Sequence, residues 1–173
     1  MTDPARRVRH RGLGAYRDDA EELLSEPGDT ATVFRGRARS LVMKCPDGCG
    51  ETLVINLDPR AGKAWKIDDR GGATTLFPSV WRENGCESHF IVWRDRILWC
   101  DRFYEDNVEP PYDAGLAERV LQHLDDRSFK NAIEVADHMG EIPWEVLHCC
   151  RKLASAGRVE EGQGPLKQHF RRL

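Results

Sequence analysis

The sequence predicts an α+β protein in two parts, a small antiparallel β-domain followed by a helical domain. Two observations lead there. Between 31 and 105 the chain is a succession of short runs rich in Val, Ile, Thr and aromatics, broken by Gly, Pro, Asp and Asn. Beyond Pro110-Pro111 the apolar residues recur at the three- and four-residue spacing of helices.

Taken in order, residues 1–30 are polar and read as a flexible N-terminal arm, with a short helix over Asp18–Leu24 closed by Pro27-Gly28. Its arginines, Arg6, Arg7, Arg9 and Arg11, suit a solvated tail. Residues 31–105 hold the expected strands: Ala31–Phe34, Ser40–Lys44, Thr52–Leu57, Ala64–Ile67, Thr74–Phe77, Phe90–Trp93 and Ile97–Phe103, with a hairpin at Arg94-Asp95-Arg96. Residues 106–113 form a linker stiffened by Pro110-Pro111. In 114–173, Leu116, Val120, Leu121 and Leu124 share one helical face, and Val146, Leu147, Cys150 and Leu153 another. A middle helix spans Asn131–Met139, Pro143 opens the third, Gly157 ends it, and Leu166–Phe170 reads as a return strand. Three helices and then a hairpin is the order of a winged helix-turn-helix-like domain.

Composition narrows the function. The 173 residues have 40% hydrophobic and 32% charged content and a formal net charge of −3, which suits a soluble globular protein. No apolar run approaches the ~18 residues of a membrane span. No apolar block follows the arginines of Met1–Tyr16, so no secretory signal is expected and the protein belongs in the cytoplasm. From Asp113 onward nine Lys/Arg face ten Asp/Glu, a net of −1, which weighs against nucleic acid as a partner for the helical domain.

Six cysteines in a reducing compartment argue for thiol chemistry or metal rather than a disulfide framework. Cys45-Pro-Asp-Gly-Cys49-Gly50 folds two thiols onto one tight turn, and Cys86-Glu-Ser-His89 offers a second pair. Cys45, Cys49, Cys86 and His89 are therefore the expected ligands of a tetrahedral Zn2+, with Cys100 a rival for the fourth place. Thiolate and imidazole donors disfavour magnesium and calcium, which take oxygen. Cys149 and Cys150 adjoin in a helical stretch and read as structural thiols.

Two hydroxyls near these motifs, Ser79 and Ser88, are candidate nucleophiles. A serine needs a base within reach, and the only histidine between 31 and 105 is His89. Metal and Ser-His relay thus compete for one imidazole. None of the common protease signatures is present, neither His-Glu-x-x-His nor Gly-x-Ser-x-Gly.

The three motifs Cys45-Pro-Asp-Gly-Cys49-Gly50, Thr75-Leu-Phe-Pro-Ser79-Val80 and Cys86-Glu-Ser88-His89-Phe90-Ile91, with Ile97-Leu-Trp99 behind them, resemble a small bacterial domain family encoded beside ubiquitin-like proteins and their activating and conjugating enzymes. The resemblance covers about residues 33–100. It implies a peptidase that matures the ubiquitin-like protein or removes it from targets, with Ser79 and Ser88 as the matching serines. Members of that family often carry a third cysteine where this chain has Asp47, and often lack one at Cys100. The alternatives are a non-enzymatic zinc-binding adaptor, or a transcriptional regulator using the winged-helix domain to bind protein or DNA.

Overall fold

The computed structural model describes residues 3–173. The chain divides into two compact units, 1–110 and 111–173.

The first unit is built on two four-stranded sheets. In one, β1 (Arg9–Gly14), β2 (Asp29–Phe34), β3 (Ala38–Lys44) and β4 (Thr52–Asn56) lie side by side in that order. β1 runs parallel to β2, and the other pairs are antiparallel. In the other, β5 (Lys66–Asp68), β6 (Thr75–Trp81), β7 (His89–Trp93) and β8 (Arg96–Trp99) form an antiparallel meander. The β7–β8 hairpin turns on Arg94 and Asp95, both at positive φ (49° and 63°), the backbone of a tight two-residue turn matched to strand twist.

One core serves both sheets. Leu41, Met43, Leu53 and Ile55 from the first meet Leu76, Val80, Phe90, Val92 and Trp99 from the second. Period-two alternation explains the selection: Leu41 and Met43 point into this core, whereas Val42 between them faces Ala20, Ala31 and Val33 under α1 (Arg17–Glu21).

The expectation of a flexible arm over 1–30 does not hold. Val8 is 3% exposed and belongs to the shared core, and the Ile97 N–H donates to the Arg6 carbonyl while the Val8 N–H donates to that of Asp95. The segment thus runs along β8 before entering the other sheet as β1. Its arginines, read as a solvated charge run, have an internal partner in Asp29, fully buried and bonded by Arg9 and Arg11 at 2.9 and 3.0 Å. Burial alone would raise the Asp29 pKa, but the N–H groups of Glu26 and Ser25 and the two guanidinium groups outweigh it and hold the carboxyl well below the usual range.

The second unit contains α2 (Ala114–His123), α3 (Ala132–Met139) and α4 (Pro143–Ser155), with a small sheet in the order β10 (Val159–Glu161), β11 (His169–Arg172), β9 (Lys130–Asn131). Asp113 and Asn131 cap α2 and α3 through their side chains, Pro143 opens α4, and Gly140 closes α3 in the left-handed conformation. Cys149 and Cys150 are both buried, and burial pushes each thiol up to about 12. Among the described residues, no helix is long and apolar enough to cross a membrane.

Candidate functional site: a thiol cluster beside a Ser-His pair

Both ends of the site come from turns whose chemistry is local. Cys45 directly follows β3. The Gly48 N–H returns to the Cys45 carbonyl at 3.3 Å, and the Cys49 N–H donates to Asp47 Oδ1 at 2.8 Å. Gly48 and Gly50 take φ of 86° and 88°, a conformation open mainly to glycine, so the turn presents its side chains to one side. The 82–88 loop joins β6 to β7 and is pinned at its base by Arg82 N–H to Ser88 O, 3.0 Å.

These turns meet. Cys45, Asp47, Cys49 and Cys86 each offer a donor atom, and the donors all lie within 4.8 Å of one another. Cys45 Sγ and Cys86 Sγ are 3.7 Å apart. A tetrahedral ion with metal–sulfur bonds of ~2.3 Å requires sulfurs ~3.8 Å apart, so three sulfurs and a carboxylate fit a four-coordinate cation. Burial opposes ionisation of Asp47, but the Cys49 N–H and neighbouring thiols outweigh it and its pKa is lowered. Cys86 shows the same contest: burial pushes the thiol up, the Ser88 hydroxyl and N–H pull harder, and the net shift is downward. Arg82 sets its guanidinium 3.5 Å from Cys86 Sγ and 3.8 Å from Cys49 Sγ. Cys45, fully buried, is raised chiefly by burial.

His89, expected as the fourth ligand, stands elsewhere. Its Nε2 is 2.9 Å from Ser79 Oγ, and Asp47 completes the cluster in its place. The reason is strand geometry. Cys86 lies in the loop, whereas His89 is the first residue of β7, directly opposite Trp81. Phe90 points into the core with no exposed surface, so the His89 ring lies on the opposite face of the sheet. Cys100, the rival ligand, is exposed and outside the cluster; its N–H donates to the His89 carbonyl at 2.9 Å.

The structure also separates the two serines. Ser88 is fully buried, its Oγ 3.2 Å from Cys86 Sγ and 3.7 Å from Cys45 Sγ, among the thiols. Ser79 is half-buried in an irregular stretch of β6, where Leu76 pairs with Val92 but Val80 already pairs with Phe90. Two additional residues bulge out of the ladder, including the cis Phe77-Pro78 bond, and bulges of this kind re-aim side chains. Of these two serines, Ser79 is the one with an imidazole on its hydroxyl.

Sequence reading missed Asp101. Its Oδ2 accepts the His89 backbone N–H at 2.7 Å, and its buried Oδ1 has no hydrogen-bond partner among the described residues. The next residue, Arg102, reaches Asp47 Oδ2 at 2.9 Å and the Cys86 carbonyl at 3.2 Å. The two-residue segment Asp101-Arg102 therefore touches both the Ser-His pair and the thiol cluster. Its signal in the sequence is only an Asp-Arg after a strand, with nothing to point it inward.

No match was found among curated proteins or among solved structures. Residues 16–100 do match a protein-family model described as "Bacterial ubiquitination-like system serine protease (BubE)". That span contains Ser79, His89 and every member of the thiol cluster but not Asp101, and over it the chain resembles the BubE family.

Proposed function

We propose that the protein is a serine peptidase that processes or deconjugates a bacterial ubiquitin-like protein, with Ser79 as nucleophile and His89 as its base. The observation that carries this reading is the 2.9 Å contact between Ser79 Oγ and His89 Nε2, in a segment that matches a family model described as a serine protease. Imidazole Nε2 takes the hydroxyl proton as Ser79 Oγ attacks the carbonyl carbon of the scissile bond. It then returns that proton to the departing amine nitrogen, leaving an acyl ester on Ser79. Water then attacks the ester carbonyl while His89 accepts its proton, the bond from that carbon to Ser79 Oγ breaks as His89 returns the proton to Oγ, and the carboxyl-terminated product leaves. Asp101 holds the first residue of β7, and with it the ring, in register.

The thiol cluster serves this chemistry from outside. We assign Cys45, Asp47, Cys49 and Cys86 as the holders of a Zn2+ ion. The ion, when bound, supplies a cross-link between the 45–49 turn and the 86–89 loop that leads into His89. All four protein donors are spent on it, the arrangement of a structural site rather than a catalytic one.

In the second unit, the order helix, short strand, helix, helix, hairpin supports a winged-helix-like module. Its net charge of −1 from Asp113 onward favours docking to the conjugation machinery over duplex DNA, where several phosphate contacts are needed.

The test is incubation with the ubiquitin-like protein encoded beside it, followed by mass spectrometry of the tail. Trimming by wild type and its absence with Ser79→Ala support the reading. An intact tail with the wild-type protein, or full trimming by Ser79→Ala, would end it.

A further inference from the structure

Two strand edges in the first unit face one cleft, and one of them belongs to β6, the strand that carries Ser79. The cleft, of about 350 Å³, runs between β4 and the far half of β6 and includes Thr52, Val54, Trp65, Trp81 and Arg82 in its walls.

The hydrogen-bond phase of each strand shows which groups point into it. On β4, the Glu51 carbonyl accepts Cys45 N–H at 2.8 Å and the Leu57 N–H donates to Arg39 O at 3.0 Å. Residues 51, 53, 55 and 57 are thus bonded toward β3, and by alternation the N–H and C=O groups of Thr52 and Val54 point away from it. Asn56 belongs to this outward series, and its carbonyl takes the Trp65 N–H at 2.8 Å. On β6, the Arg82 N–H donates across to Ser88 O, so the backbone of Trp81 turns the other way, toward the cleft. The Ser79 carbonyl is in the same outward series and accepts Trp65 Nε1–H at 3.2 Å.

Trp65 therefore closes one end of the cleft, with its backbone on β4 and its indole on β6, while the outward backbone groups of Thr52, Val54 and Trp81 have no hydrogen-bond partner among the described residues. β5 pairs only with residues 75–77 of β6, leaving the later edge uncovered. The β8 edge, by contrast, is occupied by residues 6–8. Apolar surface lines the gap: Val54 is 46% exposed and Trp81 62%. Trp81 also stands next to the imidazole, its ring 6.0 Å from that of His89.

From this we infer that the cleft between the open edges of β4 and β6 is the substrate-binding site, holding an extended peptide segment as an added strand that passes Ser79. An extended backbone presents its N–H and C=O groups alternately to the two sides, matching Thr52 and Val54 on one wall and Trp81 on the other. A helix, whose backbone groups are spent internally, satisfies neither wall. The occupant is the unstructured tail of a peptide substrate, with apolar side chains at alternate positions against Val54 and Trp81. This inference rests on Ser79 being the nucleophile, since continuity with that hydroxyl makes the occupant a substrate.

The test uses the full chain and a quenched-fluorescent peptide carrying the C-terminal tail of the ubiquitin-like protein. Val54→Pro deletes an N–H that points into the cleft and takes no part in the β3–β4 ladder. It is expected to raise KM about tenfold, the worth of roughly one hydrogen bond, with kcat and the rate of Ser79 labelling by a fluorophosphonate unchanged. A second arm leaves the protein untouched: peptides N-methylated one residue at a time should lose affinity at each of the consecutive positions held between the two walls, since every N–H there meets β4 or β6, and at none outside them. Loss over such a consecutive run supports a strand added between the two edges. Wild-type KM in Val54→Pro, or an N-methyl scan with no loss, overturns it. Failure of the underlying reading looks different, because Ser79 then goes unlabelled in the wild-type protein.

Discussion

Ser79 and His89 approach from neighbouring strands of a single hairpin, ten residues apart in the chain, with the hydroxyl oxygen 2.9 Å from Nε2. The contact depends on a local irregularity. In a regular ladder the five residues Leu76–Val80 would lie against five residues of the partner strand, but here they span only the three from Val92 to Phe90, and the surplus length places Ser79 against the ring. His89→Ala and Ser79→Ala should each lower kcat by ~10³-fold or more, as removal of a base or nucleophile does. Ser88→Ala should keep kcat within about threefold, because Ser88 is buried among thiols and touches no base. Steady-state kinetics on the tail peptide decides between them.

Asp101 offers a subtler case. Asparagine retains an oxygen for the His89 N–H but replaces the other carboxylate oxygen, buried without a partner, with a donor. Asp101→Asn should reduce kcat by roughly 10²-fold through misorientation of the imidazole, with KM within about twofold. A rise in KM with kcat intact would assign Asp101 to substrate binding instead.

The thiol cluster predicts a metal-dependent fold. Native mass spectrometry should find one zinc ion per chain. Cys86→Ser should lower both metal content and melting temperature, since an ion bound only by the folded state stabilises it. Asp47→Cys, which restores the donor common among resembling proteins, should retain the ion. Metal content unchanged in Cys86→Ser would refute the ligand assignment.

Asp29 predicts the acid limb of stability. Its pKa is lowered in the folded protein, burial being outweighed by the Glu26 and Ser25 N–H groups and by Arg9 and Arg11. The native state therefore binds fewer protons here than the unfolded chain, and the contribution is fully present above the unfolded carboxylate value of ~3.9. It is lost as pH falls from there through the lowered folded value. Asp29→Asn should cost ~1–3 kcal/mol near neutral pH, and the gap to wild type should narrow as pH drops below ~4. A gap that stays constant down to acid unfolding would contradict this.

How far the sequence reveals all this depends on the range of the interaction. Helix ends marked by Asp113, Asn131, Pro143 and Gly157 lie where capping chemistry puts them, because a cap is a contact within one turn. The Arg94-Asp95 hairpin was legible for the same reason. Strand boundaries were less so: the run Ile97–Phe103 yields a strand only over Arg96–Trp99, with the Cys100 N–H making a last bond to the His89 carbonyl and the Asp101 side chain taking the His89 N–H. The arginine-rich beginning was misread because its partner, Asp29, lies a loop away and is silent until the parallel pairing of β1 with β2 is known.

The site divides along the same line. Spacing brought out Cys45, Cys49 and Cys86, which the structure places together, and it posed the competition for the single imidazole. It could not decide that competition, because which face of β7 the His89 ring occupies is fixed by the burial of Phe90, a tertiary fact. Asp47 was visible only as a departure from related sequences. Asp101, twelve residues from the histidine that it holds, carried no local mark.

The central claim, that Ser79 is a nucleophile activated by His89, is tested most directly by treating the native protein with a fluorophosphonate and mapping the adduct by peptide mass spectrometry. A single adduct is expected on Ser79, lost in His89→Ala and undiminished in Ser88→Ala. An adduct on another serine, or none on a protein that still trims its substrate, would contradict it.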